Sequence, residues 1–277
     1  MKTFFTMINT LDRRIIFLAM FIAVIAPLIK PLALPVKITP NTISAYEVID
    51  KLNPGDRILL SFDYDPASSP ELQPMAKAVI THCFRKDVKI LALALWPQGP
   101  MMAKNAFESL SADPEFKGKK YGIDYINLGV QPSFVAVVKG MGDSIPDVFP
   151  TDFFGNKTLD FEIMKNVKNY RDISAIFSLT TGSAGIGTYV TIANAQYKSI
   201  VVGGCTAISS LEYYPYLQSG QLSGLVEGLK GASEYEQKVG KRGLATSGMD
   251  VQAVVHMMLI FFILLANLSQ AIVGAKK

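Results

Sequence analysis

The chain has 277 residues, with 27 Lys and Arg against 23 Asp and Glu and a net charge of +4, so it can build one sizeable domain in addition to membrane segments. Its basic residues are dispersed and not interleaved with aromatics, which excludes a nucleic-acid-tracking surface. Two cysteines, Cys83 and Cys205, and two histidines, His82 and His256, are too few and too scattered for a disulfide framework or a His-rich metal site. Both cysteines lie in apolar sequence and read as buried free thiols.

Residues 1–14, with Lys2, Arg13 and Arg14, read as an N-terminal cytoplasmic segment. From Ile15 to Ile29 the chain carries no charge, and Arg13, Arg14 and Lys30 bracket it. A cleaved signal peptide would begin in the same way, but no A-x-A-like site follows. The reading is an uncleaved anchor over residues 15–36, with the apolar Pro31–Val36 continuing it and Lys30 snorkelling to the interface.

Residues 37–246 read as a Rossmann-like α/β domain. Asn41 and Thr42 can cap a helix running to Leu52, and Asn53-Pro54-Gly55-Asp56 ends it as a turn. Arg57–Phe62 (RILLSF) is the first strand. Ser69-Pro70-Glu71 opens a helix to about Arg85, with Pro70 in its first turn. Val88–Leu95 (VKILALAL) is the second strand, and a helix covers Met101–Leu110. Tyr125–Leu128 is the third strand, Pro132–Lys139 is helical, and Gly142–Asn156 is a long loop. Ile173–Leu179 is the fourth strand, and Thr180-Thr181-Gly182-Ser183 turns into a helix through about Gln196. Ser199–Val202 is the fifth strand, followed by Gly203 and Gly204, and a long helix covers Tyr216–Gln237. Val-, Ile- and Leu-rich strands alternating with helices predict an open, doubly wound, mostly parallel sheet of about five strands.

Such a sheet binds ligands beyond the carboxyl ends of its strands. Asp63-Tyr64-Asp65 follows the first strand. Asp63 and Asp65 could share a cation or serve in phosphoryl transfer, or they could simply cap the turn that follows. Thr181, Gly182 and Ser183 lie in the Gly-rich stretch TTGSAGIG, whose amides could bind an anion. Its G-x-x-G-x-G spacing matches neither the dinucleotide nor the Walker fingerprint, so a tight turn of small residues is the competing reading. Gly203 and Gly204 complete the candidate ligand site. Neither histidine lies near a strand end, so no Ser, His and Asp set for nucleophilic catalysis emerges, and no metal site or cofactor is assigned.

In the long helix, Leu222, Leu225, Val226, Leu229 and Ala232 form one stripe, and Gly220, Gly224, Gly228 and Gly231 fall opposite it. The glycine ridge predicts close approach of another helix or subunit, unless the segment breaks into shorter helices. Val251–Val273 is an uncharged run of 23 residues closed by Lys276 and Lys277. At 1.5 Å per residue it is about 34 Å long, enough to cross a bilayer core. The C-terminal transmembrane helix is placed at 247–273 and the tail at 274–277. Within it Gln252, His256, Asn267 and Gln270 fall within about 60° of one another. Polar groups in hydrocarbon need a protein partner, either the small-residue face of Ala19, Ala23 and Ala26 or a neighbouring subunit.

The expectation is an integral membrane protein with two spans, both termini on one side and the domain extracytoplasmic. Its partners would be the bilayer and copies of itself or other membrane proteins. The favoured role is non-catalytic assembly or scaffolding. The alternative is a membrane-bound receptor or enzyme that takes a small anionic ligand or a metal at the strand ends.

Overall fold

A computed structural model describes residues 12–32 and 34–274. Most of the N-terminal segment (residues 1–11) and the end of the tail (275–277) lie outside the described residues. Two compact units result. One holds the described residues up to Pro35 and from Thr246 onward, and the other spans Val36–Ala245.

The larger unit is built on six parallel strands: β1 (Arg57–Asp63), β2 (Lys89–Ala94), β3 (Tyr125–Val130), β4 (Ala175–Thr180), β5 (Val201–Cys205) and β6 (Leu225–Glu227). Their spatial order is β3-β2-β1-β4-β5-β6, so chain progression reverses between the central strands β1 and β4. The central strands are buried on both faces, which is why they read as near-continuous apolar runs.

The main helices of this unit are α2 (Pro40–Asp50), α3 (Ser69–Arg85), α4 (Gly99–Ser111), α5 (Phe134–Gly140), α6 and α7 (Gly228–Val239), with shorter ones at Ile145–Val148 and Tyr214–Gln218. Helix α6 starts as Ile186–Thr188, continues through a π-helical stretch at Tyr189–Asn194 and ends as Ala195–Tyr197. One face of the sheet packs Leu60, Phe62 and Phe177 against α2, α3, α4 and α7, with Ile49, Met75 and Tyr235 fully or almost fully buried. The other face packs Leu59, Leu91 and Ile176 against α5, α6 and an irregular stretch that supplies Ile145, Phe149, Ile163 and Tyr170. That stretch carries the crossover from β3 to β4, in short helical turns rather than one long helix.

The expected helix over Tyr216–Gln237 does not form. Tyr214–Gln218 is one short helix, a turn follows, β6 adds a sixth strand and α7 begins only at Gly228. Leu225 and Val226, which look like part of a helical stripe, are inward residues of an edge strand. A three-residue strand is too short to show a period of two in sequence.

In the smaller unit, α1 covers Arg13–Ile29 and α8 covers Leu244–Gly274. Leu244–Ile272 is long and apolar enough to cross a membrane, with mean hydropathy 2.2. The N-terminal span is not supported. Helix α1 has 17 residues, and Lys30 is its C-cap rather than a residue within a longer span. At 1.5 Å per residue α1 reaches about 26 Å, short of a hydrocarbon core of about 30 Å. Pro31 holds Lys30 in an extended conformation, φ −132° and ψ 91°, and so stops the helix there. The Leu34 amide donates to Asp250 Oδ1 at 3.0 Å, pinning the chain after α1 beside the start of α8.

Candidate functional site

Reversal of strand order between β1 and β4 makes their carboxyl ends the natural ligand crevice of this sheet. Asp63 is the last residue of β1 and pairs in register with Thr180, the last of β4, while Ser61 pairs with Ser178. The period of two turns Ser61, Asp63, Ser178 and Thr180 to the α6 side, between the apolar Phe62 and Leu179 that turn the other way. All four polar residues are buried, with Asp63 only 2% exposed.

The Asp63 carboxylate is fully engaged. It accepts hydrogen bonds from the Leu95 amide at 2.7 Å, Ser61 Oγ at 2.9 Å and Ser178 Oγ at 3.1 Å. Tyr189, in the π-helical stretch of α6, donates its hydroxyl to Ser61 Oγ at 3.0 Å. Burial pushes the Asp63 carboxyl up to about 6, against the opposing pull of its three donors. The same burial drives the Tyr189 hydroxyl well above its ordinary range, so it stays a neutral donor.

The Gly-rich loop closes over this cluster. Thr180 Oγ1 donates to the carbonyls of Ala184 and Gly182, and accepts from the Gly182 amide. Ser209 Oγ donates to the Thr181 carbonyl at 3.2 Å, and the Tyr213 hydroxyl to the Gly182 carbonyl at 3.1 Å. Gly185 has φ +114°, and a Cβ there would lie 2.7 Å from Thr180 Oγ1 and 2.9 Å from Ser178 Oγ. Only glycine lets the chain fold back this tightly.

The candidate ligand residues therefore separate. Asp63, Thr181 and Gly182 meet at the switch point, but as parts of one internally bonded plug. Asp65 lies outside it, and its Oδ1 accepts from the Ser68 amide at 3.1 Å, as a residue capping a turn does. Ser183 is exposed at the mouth of a neighbouring cleft. Gly203 and Gly204 do not follow β5; they lie inside it. Added Cβ atoms would meet Ile186 at 2.6 Å and Met75 at 2.4 Å, so these glycines let α6 and α3 pack closely on the sheet. Trp96, which could have filled the crevice, is 43% exposed. Ser61, Ser178 and Tyr189 were not singled out from sequence. The S-x-D and S-x-T patterns at the ends of two apolar strands are the signal that could have found the two serines.

Beside the plug, a cleft of about 500 Å³ is lined by Gly182, Ser183, Thr188, Thr191, Glu212 and Tyr216, among others. The Thr188 and Thr191 hydroxyls bond to backbone carbonyls of their own helix region. Among the described residues no group of three or more His, Cys, Asp and Glu is placed to hold a metal ion. Both thiols are buried, and burial raises them well above the ordinary thiol range.

The glycine ridge is absent, because only Gly228 and Gly231 share a helix. Gly220 is in a turn with φ +73°. Gly224 precedes β6 and lies against α2, where an added Cβ would be 2.3 Å from the Ala45 nitrogen. Gly228, with φ +59°, would meet Ala207 and Glu71, and Gly231 would meet Val226. Three of the four therefore serve packing within this chain.

On α8, the half-buried or buried residues Val251, Val255, Met258, Phe262, Leu265 and Ser269 recur every three or four residues. On α1, Ile16, Met20, Ala23 and Pro27 do the same. Gln252, His256, Asn267 and Gln270 are all exposed, about a third of a turn away from the α8 stripe. Of the alanines expected to cover them, Ala19 and Ala23 are half-buried and Ala26 is exposed.

No family model matches this chain, and no curated protein matches it significantly.

Proposed function

We propose that this is a membrane-anchored, non-catalytic assembly protein whose α/β domain joins copies of itself or scaffolds other membrane proteins. One observation carries the reading: the position where a sheet of this strand order takes its ligand is plugged by Asp63, Ser61, Ser178 and the 180–185 loop. A buried carboxylate with three internal donors is a structural element, and opening it to a ligand would break bonds worth about 1 kcal/mol or more each. Helix α8 supplies the anchor.

The test is the native mass of the full chain reconstituted in nanodiscs. Particles holding several copies, or a co-purifying membrane protein in fixed ratio, support assembly. Particles of a single 30.2 kDa chain refute it.

The cleft beside Ser183 favours a second reading, that of a receptor. Glu212 and Tyr216 at its wall suit a cationic or polyhydroxylated ligand better than an anion. Saturable binding that is lost in Glu212→Gln would favour this reading over the first.

A further inference from the structure

We propose that α8 pairs with α8 of a second copy of this chain through the face carrying Gln252, His256, Asn267 and Gln270. The inference rests on the assembly reading and specifies its interface. Val251–Val273 of α8 is uncharged, and its midpoint is Phe262. At 1.5 Å per residue, His256 and Asn267 lie about 9 and 8 Å from that midpoint, well inside a core of about 30 Å. Gln270 lies about 12 Å from it, and Gln252 about 15 Å, at the boundary. All four are exposed, and none has a side-chain hydrogen bond among the described residues. Hydrocarbon cannot satisfy their donors and acceptors, so a protein surface must cover this face. Helix α1 cannot be that surface, because the half-buried stripe of α8 lies on a different side.

The chemistry of the face selects the occupant. Asn, Gln and neutral His each carry both a donor and an acceptor. Two copies of one membrane protein share the same orientation, so their α8 helices run parallel about a two-fold axis along the membrane normal. Each polar residue then lies opposite its own counterpart, and a group with both a donor and an acceptor pairs with itself. Leu259 and Ile263 lie between the polar pairs on the same face, 42% and 59% exposed, and supply the apolar contact at the centre. A partner of different sequence would need a matching polar ladder at the same heights, whereas a second copy has it by symmetry.

The experiment uses the full chain in phosphatidylcholine nanodiscs, comparing wild type with His256→Leu/Asn267→Leu/Gln270→Leu by native mass. Wild type should carry an even number of copies, and the triple variant should fall to half that number. Asn267→Cys should form disulfide-linked dimers in oxidised membranes, while Phe261→Cys, on the opposite side of α8, should not. The native thiols are buried and do not compete. If the triple variant keeps the wild-type mass, or Phe261→Cys links as readily as Asn267→Cys, the interface is wrong while assembly stands. A single-chain wild-type particle overturns both.

Discussion

Replacing Asp63 by Asn tests whether the switch-point plug carries a buried charge. The Asp63 carboxyl is raised from its ordinary 3.8 to about 6 by burial. A raised carboxyl favours the folded state fully below pH 3.8, and that contribution is lost as pH rises through 6. The difference of about 2 pKa units corresponds to about 3 kcal/mol. Asn has the same shape, keeps an acceptor for the Leu95 amide and never ionises. At pH 7 Asp63→Asn should therefore stabilise the protein by up to about 3 kcal/mol, less about 1 kcal/mol for reorienting the Ser61 and Ser178 hydroxyls. For a unit of this size that net gain is about 4–8 °C in Tm. At pH 4 the gain should vanish, leaving only the reorientation cost. The assay is thermal unfolding of wild type and variant in the same detergent from pH 4 to 7.5, followed by near-UV circular dichroism. Taking the difference at each pH cancels every other titrating group. A difference that does not change with pH, or a variant that loses stability as pH rises, would show that the three donors outweigh burial.

His82 acts in the opposite direction and can be separated from Asp63. It is buried in α3, stacks on Tyr46 with ring centroids 4.2 Å apart, and its Nδ1 lies 3.0 Å from the Tyr235 hydroxyl. Burial lowers it from 6.5 to about 4, so its contribution is present above 6.5 and about 3 kcal/mol is lost as pH falls to 4. His82→Phe should cost about 1 kcal/mol at pH 7 but flatten the acid limb of the Tm–pH curve, and an unchanged limb would remove His82 as its cause. Gly224→Leu should unfold or severely destabilise the domain, by more than about 3 kcal/mol, because its Cβ would lie 2.3 Å from backbone of α2. A Gly224→Leu domain that melts like wild type would contradict the packing of α2 on β6. Gly185→Ala should cost about 2–3 kcal/mol in chemical denaturation, from its positive φ and the clash with Thr180. A loss below about 0.5 kcal/mol would mean that the loop relaxes.

The α/β class and five strands are visible in the chain itself, because a buried parallel strand must be continuously apolar and its helices must start at Pro, Ser or Asp turns. Ser69-Pro70-Glu71 starts α3 where the residues place it, and the apolar run of α8 needs no tertiary information, since its length alone meets the thickness of a bilayer. The position of Asp63 at a strand end is equally local. What holds Asp63 is not. Ser178 reaches it, and Tyr189 reaches Ser61 beside it, each from more than a hundred residues away, and only the tertiary fold brings them there. The glycines show the same division. Their spacing looks like a helix face because periodicity cannot tell a ridge from one turn glycine and three separate close approaches to α2, α3 and β6. The burial of one stripe of α8, which leaves Gln252, His256, Asn267 and Gln270 on another side, was likewise decided by tertiary packing. A sequence states which residues share a helix face; only the neighbours that cover one face determine which of the others still need a partner.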